Sequence, residues 1–283
     1  MVRLGRCADA DESGGIMLRL LTAGAAMLVI GVLAFYPPLH IAFDIVVSLA
    51  IAVGLLEFYG LVRAAGIGPE SFWGTLGGIW IGAAAHFGLL NSGLLTGLLV
   101  VACAHLLRGK RNIAGLATSI FGLVYVAWMG SHIILLRALP ETGVGHIMIL
   151  FALVWLNDAG GYGIGSGFGR SRLPATISPN KTVEGSVGGV AFTLLGAAIL
   201  KELQRLGVTV LPAYTGAQYL LIGFVLSFAG QIGDFTESYF KRDAGVKDSG
   251  RFFPGHGGLL DRVDGMLFAA PVLYYIARAF GTW

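Results

Sequence analysis

The chain has 283 residues, of which 55% are hydrophobic and only 12% are charged, and its mean hydropathy is +0.77. That composition excludes an ordinary soluble domain, in which about a quarter of the residues carry a charge. No nucleic-acid partner is predicted. The expected surroundings are a membrane lipid bilayer.

Apolar runs follow one another along almost the whole chain. A helix needs about 20 mostly apolar residues to cross a bilayer, and the runs have about that length. We therefore predict an all-α fold, a polytopic integral membrane bundle of about nine transmembrane helices. The predicted spans are residues 16–36, 40–60, 72–88, 92–107, 113–136, 146–165, 185–204, 218–238 and 263–281.

The distribution of positive charge gives this bundle an orientation. If the N-terminus is cytoplasmic, nine spans place 15 of the 19 Lys and Arg residues on the inside, as the positive-inside rule requires. The C-terminus is then outside. The basic start is not expected to be a cleavable signal, because no small-residue cleavage site follows it.

The first half of the chain has the composition of a membrane scaffold. Its apolar runs carry small residues at a spacing of four, as at Gly74, Gly78 and Gly82, which lets helices approach closely in lipid. Glu57 is a charged exception to this apolar composition. Two interpretations of it are open: a role in a functional site, or a helix-end pair with Arg63. We predict a scaffold over residues 1–140, spans one to five.

Polar residues enter the apolar pattern from span six onward, in the predicted region 141–283. Asp158 lies inside span six, and because a charge at the bilayer centre costs roughly 2.5–3.5 kcal/mol, a functional role is favoured. Further on, Ser178 and Pro179 predict an N-cap and a first-turn proline. A helix start suits a phosphate, and Lys181 would add a full charge. The alternative is an ordinary capped membrane helix with a snorkelling lysine.

The densest charge lies between Ser238 and Asp264, in S-Y-F-K-R-D-A-G-V-K-D-S-G-R-F-F-P-G-H-G-G-L-L-D-R-V-D. Just before it, Asp234, Glu237 and Ser238 share one helical face by their spacing, and Asp261 and Asp264 repeat the i, i+3 relation as the next helix begins. Carboxylates of this kind bind magnesium together with substrate phosphates. Basic side chains left over can hold phosphate oxygens. We therefore predict a reaction site in this stretch.

The same stretch resembles the signature of the phosphatidate cytidylyltransferases, also called CDP-diacylglycerol synthases. The residues that carry the resemblance are Ser238, Lys241, Arg242, Lys247, Asp248, Gly250, Pro254, His256, Gly257, Gly258, Asp261, Arg262 and Asp264. It extends upstream through the motifs at residues 233–238, 178–185 and 158–165. Two positions depart from the family pattern: Ser166 stands where a basic residue is common, and Val183 where a tryptophan is common.

The resemblance implies that CTP and phosphatidic acid react to give CDP-diacylglycerol and pyrophosphate, in a catalytic region formed by spans six to nine and their cytoplasmic loops. It implies catalytic roles for Asp234, Lys247, Asp248, Asp261 and Arg262. It implies substrate binding by Asp158, Ser178, Lys181, Thr182, Glu184, Lys241, Arg242, His256, Gly257 and Gly258. His256 is either a phosphate donor or the residue that orients its loop.

The implied metal ligands are Asp234, Asp261, Glu237, Ser238 and Asp264. The implied cofactor is Mg²⁺, and a second cation, monovalent or divalent, is left open. The expected location is a bacterial plasma (inner) membrane with a cytoplasmic active site. The small-residue helix faces would permit a homodimer.

Two other functions are open at this point. One is a CTP-dependent enzyme that acts on another lipid acceptor, a polyprenol or an archaeal lipid. The other is an ion-coupled transporter whose intramembrane acids line an ion path. Transporters often contain inverted repeats, and the first half of the sequence has no counterpart of the C-terminal motifs.

Overall fold

The computed structural model of the protein describes residues 31–109, 112–174, 178, 181–253 and 257–281. Among these residues the regular structure is helical, apart from two isolated β-bridges. The helices are α1 (His40–Ala64), α2 (Ser71–His86), α3 (Leu90–Leu107), α4 (Ile113–Gly122), α5 (Met129–Arg137), α6 (Gly143–Phe168), α7 (Val183–Arg205), α8 (Gly216–Asp243) and α9 (Leu260–Phe280). A short 3₁₀ helix, Pro37–Leu39, precedes α1, and a π-helical turn, Leu123–Trp128, joins α4 to α5.

The described residues contain seven helical segments that are long and apolar enough to cross a membrane: α1, α3, the continuous segment Ile113–Arg137, and α6 to α9. The predicted polytopic helical membrane bundle is therefore confirmed, but the count of nine spans is not. The predicted span at 16–36 lies almost wholly outside the described residues. Helix α2 has 16 residues, or about 24 Å at about 1.5 Å per residue, which is short of a hydrocarbon core of about 30 Å.

Glycines allow the N-terminal helices to pack at short range. A Cβ atom on Gly78 of α2 would lie 2.1 Å from Leu55 Cδ1 of α1, and one on Gly93 of α3 would lie 2.5 Å from Ala84 Cβ of α2. Neither position has room for a side chain. The small-residue spacing in the sequence thus marks helix contacts, as expected for packing in lipid.

Two clusters of buried apolar side chains form the interior, and α9 belongs to both. One cluster joins α5 to α9, and the other joins α1 to α5 with Leu260 and Leu267 of α9. An aromatic contact adds to the second cluster, since the rings of Phe58 on α1 and Phe240 on α8 are 5.7 Å apart. The N-terminal helices therefore pack directly against the elements that carry the charged C-terminal motifs.

The start of α7 differs from the prediction. Its N-cap is Thr182, whose hydroxyl accepts a hydrogen bond from the Gly185 N–H at 3.1 Å, so the predicted N-cap at Ser178 is wrong. The predicted first-turn proline, Pro179, lies outside the described residues. Arg172 and Thr182 form an antiparallel bridge. Because this pairing holds Thr182 in an extended conformation, the helix cannot begin until Val183.

Candidate functional site

The charged motifs meet at one end of the four C-terminal helices. Helices α6 and α8 end at Phe168 and Asp243, while α7 and α9 begin at Val183 and Leu260. Because consecutive helices cross in opposite directions, these four ends lie together. The loops between them carry the remaining predicted site residues.

The first ion pair at this end joins Lys181, just before α7, to the carboxylate of Asp234 on α8. The Lys181 ammonium also lies 4.7 Å from the centre of the Phe235 ring, a cation–π contact. Burial lowers the pKa of Lys181, and the nearby carboxylates of Asp264 and Asp158 oppose that effect. One cation thus interacts with acids from three helices.

The second ion pair is centred on Lys241, in the last turn of α8. Its ammonium contacts the carboxylate of Glu237 and donates a hydrogen bond to Asp261 Oδ1 at 2.7 Å. Glu237 is fully buried, and it lies one helical turn after Asp234. The two lysine–carboxylate groups are therefore neighbours, and α8 connects them.

Asp261 also organises the loop that precedes α9. Its Oδ2 atom accepts hydrogen bonds from the Gly258 N–H at 2.7 Å, the Ser249 N–H at 2.9 Å and the Ser249 hydroxyl at 2.8 Å. Gly257 has a φ of +84°, which a side chain would strain, and a Cβ on Gly258 would lie 2.3 Å from Ser249 Oγ. Both glycines are needed for this loop to fold around the carboxylate.

A cavity of about 390 Å³ opens between α6, α7 and α8. Asp158, Lys181 and Asp234 line it, together with the apolar and aromatic side chains of Tyr162 and Phe235. A pocket with mostly apolar walls and a few convergent charges is typical of a site for a small ligand or a lipid headgroup. The structure thus brings Asp158, which the sequence placed alone in span six, next to the C-terminal motifs.

The other predicted residues fall into different surroundings. Glu184 does not line this cavity, and its carboxylate accepts hydrogen bonds from the Arg170 and Ser171 N–H groups at 3.1 Å, so it holds the loop after α6.

Asp264 is half-buried, and its Oδ1 atom accepts a hydrogen bond from the Gly265 N–H at 2.7 Å. Ser178 is buried and Ser238 is half-buried; Arg242, Lys247, Asp248 and Arg262 are exposed. His256 lies outside the described residues.

A polar network beside the cavity was not predicted. The Asn157 side-chain oxygen accepts from the Ser227 hydroxyl at 2.7 Å and from the Gln231 amide at 3.2 Å, and that amide also donates to the Ser186 carbonyl at 3.1 Å. This network ties α6, α7 and α8 together, directly beside Asp158 and one turn before Asp234. The available signal was the presence of two amides, Asn157 and Gln231, within apolar spans.

The carboxylates at this end have the donor chemistry that Mg²⁺ requires, since all of them offer hard oxygen ligands. Among the described residues, however, no three His, Cys, Asp or Glu side chains already form an arrangement that could hold a metal ion. Lys181 and Lys241 contact the carboxylates of Asp234, Glu237 and Asp261 instead. A metal would have to share or displace these lysine contacts, and the predicted metal ligands stay a prediction.

The fold and the site define a class of protein. It is a polytopic helical membrane protein with a cavity at one end of its bundle, where basic and acidic side chains from four helices converge. The sequence assigns it further, because the cytidylyltransferase family model matches residues 17–280. The chain belongs to this family, and the resemblance seen in the motifs is confirmed.

Curated relatives of similar length carry one name. A phosphatidate cytidylyltransferase of Brucella suis is 37% identical over 233 residues, covering 82% of this chain and 83% of the relative. The phosphatidate cytidylyltransferase of Synechocystis sp. is 36% identical over 268 residues, with 82% and 87% covered. The Bacillus subtilis protein of the same name is 39% identical over 157 residues, with 56% of each chain covered.

Proposed function

We propose that this protein transfers the cytidylyl group of CTP to phosphatidic acid, forming CDP-diacylglycerol and pyrophosphate. The observation that carries the proposal is the convergence of Lys181, Asp234, Lys241 and Asp261 at the end of the bundle where the cavity opens. The shared name of the relatives supports this reaction over transfer to a polyprenol or archaeal lipid, and over ion transport.

The chemistry requires little acid–base help from the protein. A phosphate oxygen of the lipid forms a bond to the α-phosphorus of CTP, and the bond from that phosphorus to the bridging oxygen breaks, so pyrophosphate leaves with the electron pair. The attacking phosphate is already anionic at neutral pH. Catalysis must therefore come from holding two polyanions together and stabilising the charge on the leaving group.

We assign those tasks to the basic residues around the cavity. Lys181 lies at its wall and can contact a phosphate when it is not paired with Asp234. Lys247 is exposed on the loop that precedes α9, and Arg262 is exposed in the first turn of α9. Both belong to the signature stretch, and we propose that they hold the triphosphate or the lipid phosphate. Lys241 keeps Glu237 and Asp261 in place.

We further propose that the reaction depends on Mg²⁺. Asp234 and Asp261 would hold the ion, with Glu237, Ser238 or Asp264 completing or orienting the site. Bound there, Mg²⁺ would supply positive charge to the phosphates of CTP and the leaving pyrophosphate. A second cation, monovalent or divalent, is left open.

The proposed setting is a bacterial plasma membrane. Counted over the nine predicted spans, the distribution of Lys and Arg supports a cytoplasmic N-terminus and active site, with the C-terminus outside. In that orientation a water-borne nucleotide and a lipid of the inner leaflet can reach the same cavity. A homodimer is left open.

The test is a turnover assay on purified protein with labelled CTP and defined lipids. We expect labelled CDP-diacylglycerol with phosphatidic acid and Mg²⁺, and loss of product when the divalent ion is chelated. Product only with a polyprenyl phosphate or an archaeal lipid acceptor would replace the substrate assignment. A folded protein that consumes no CTP with any acceptor would contradict the proposal as a whole.

A further inference from the structure

Glu57, on α1 of the N-terminal half, reaches the start of α9 with its carboxylate. Its Oε1 atom accepts a hydrogen bond from the Leu259 N–H at 3.0 Å, and its Oε2 atom accepts one from the Leu260 N–H at 2.8 Å. The first N–H groups of a helix have no partner within that helix. Leu259 occupies the N-cap position of α9 and has no side chain that could accept them. A residue 202 positions earlier in the chain therefore caps this helix.

The same carboxylate holds the loop that precedes α9. Ser249 Oγ lies 3.5 Å from Glu57 Oε2 and 2.8 Å from Asp261 Oδ2, so this hydroxyl connects the two acids. A Cβ atom on Gly250 would lie 2.3 Å from Glu57 Oε1, and one on Gly258 would lie 2.6 Å from Glu57 Oε2. The loop therefore folds closely around Glu57, and glycine is required at both contacts.

These contacts correct one of the two sequence interpretations of Glu57. Arg63 donates a hydrogen bond to the Ser71 hydroxyl, while both Glu57 oxygens accept from the backbone at the start of α9. The helix-end pair with Arg63 is thus wrong. The sequence could not reveal the actual contact, because nothing within α1 marks a partner in the last helix.

We infer that Glu57 is a positioning residue for cytidylyl transfer: by capping α9 and contacting Ser249, it fixes Asp261 in place against Lys241. This inference rests on the proposed function. A carboxylate is favourable at a helix N-terminus because it faces the positive end of the dipole, and hydrogen bonds to a charged acceptor are stronger than neutral ones. Asp261 lies one residue after Leu260 in the capped turn, so a shift of that turn moves Asp261 with it.

The first experiment is Glu57→Gln. Glutamine keeps the shape of the side chain but has one acceptor oxygen, so one of the two N–H groups at Leu259 and Leu260 would face an NH₂ group. We expect kcat to fall about 10–100-fold, the range for residues that orient a reactive group, with the KM for CTP within about threefold of wild type. Hydrogen exchange at the Leu259 and Leu260 amides should become faster.

A second variant separates positioning from folding. Ser249→Ala removes the hydroxyl between the two acids but leaves the Ser249 N–H that donates to Asp261. We expect a smaller fall in kcat, about 2–10-fold, because the Ser249 and Gly258 N–H groups still donate to Asp261. This variant keeps the inference testable if Glu57→Gln does not fold.

Glu70→Gln is the matched control. Glu70 is another carboxylate of the N-terminal half; it is buried and bonded to His105 and Arg108. The Glu70→Gln variant should be less stable than wild type, and its amide hydrogens near Ser119, whose hydroxyl accepts from the Glu70 N–H, should exchange faster. The kcat of the folded variant should stay unchanged.

A wild-type kcat in folded Glu57→Gln would overturn the inference. So would a loss of activity that only follows the folded fraction, as in the control, with unchanged exchange at Leu259 and Leu260. Exchange is measured without substrates, and wild-type turnover is measured separately. Failure of the proposed reaction is therefore distinguishable from failure of the Glu57 contact.

Discussion

Two buried glutamates, one in each half of the molecule, show how the halves differ. Glu70 is 3% exposed, and both of its carboxylate oxygens are bonded, one to His105 at 3.2 Å and the other to Arg108. Glu237 is 0% exposed, and its carboxylate is paired with Lys241, which also contacts Asp261.

The two buried carboxylates differ in how completely their charge is paired. In the Glu70 cluster each carboxylate oxygen has its own partner, and the contacts of Glu70 join the start of α2 to α3 and α4. In the Glu237 cluster two carboxylates share one lysine, and the cluster lies one helical turn from Asp234 at the cavity wall. Under the proposed function a bound ligand would complete this cluster, since buried polar groups normally have partners.

The largest effect should follow from neutralising the two carboxylates that we propose hold Mg²⁺. We expect Asp234→Asn and Asp261→Asn each to lower kcat about 10²–10³-fold, the size of effect seen when one preorganised electrostatic contact is removed. Turnover of CTP with phosphatidic acid over a range of Mg²⁺ concentrations measures it. Asp243→Asn is the matched control, because Asp243 is an exposed carboxylate at the end of the same helix. Normal Mg²⁺-dependent turnover by Asp234→Asn would remove its metal assignment.

Removing the cation at the cavity wall should have the next largest effect. Lys181→Met keeps the apolar length that packs on Phe235 but loses the charge, and we expect kcat/KM for CTP to fall about 10–100-fold, as for a charged contact worth about 1.5–3 kcal/mol. Lys181→Arg should recover part of that loss. Arg205→Gln, at the exposed far end of α7, should behave as wild type. If Lys181→Met matched Arg205→Gln, Lys181 would not contact a phosphate.

A pair of glycine substitutions compares packing in the two halves. A Cβ on Gly233 would lie 2.3 Å from the Asp264 carbonyl oxygen, and one on Gly74 would lie 2.2 Å from the Tyr59 hydroxyl. Gly233→Ala should push α9 from α8 and lower kcat about tenfold, because small displacements in a reactive site cost rate. Gly74→Ala should cost about 1–3 kcal/mol of stability by overpacking but leave the kcat of the folded protein unchanged.

Thermal unfolding and turnover, measured on the same preparations, separate the two glycine effects. Equal losses of kcat in Gly233→Ala and Gly74→Ala would contradict the expectation that helix packing affects turnover only in the C-terminal half. An unchanged kcat in Gly233→Ala would show that the separation of α8 and α9 is not critical.

The smallest effect should come from restoring the basic residue common in the family. Ser166 lines the cavity and its hydroxyl donates to the Gly163 carbonyl at 3.2 Å. Because it is exposed, Ser166→Lys should add a well-solvated charge and raise kcat/KM for CTP by at most about threefold. A tenfold gain would show that the nearby Arg170 and Arg172 do not replace the missing contact.

Much of the fold and part of the site were predictable from local sequence. Apolar runs of membrane-spanning length gave the helices, and the i, i+3 spacing placed Asp234 and Glu237 on one face of α8. Local signals failed where a partner lay far along the chain. Ser178 and Pro179 have the composition of a helix start, but the pairing of Arg172 with Thr182 delays α7 to Val183.

The sequence by itself determined the membrane setting, the family and the residues that can carry charge at the reactive end, because these depend on composition and on spacing within one helix. Only the tertiary structure decided which charges meet. It placed Asp158 and Asp234 at one cavity, and it brought Glu57 to the start of α9. Contacts between helices depend on how the whole bundle packs, and no spacing within a single helix encodes them.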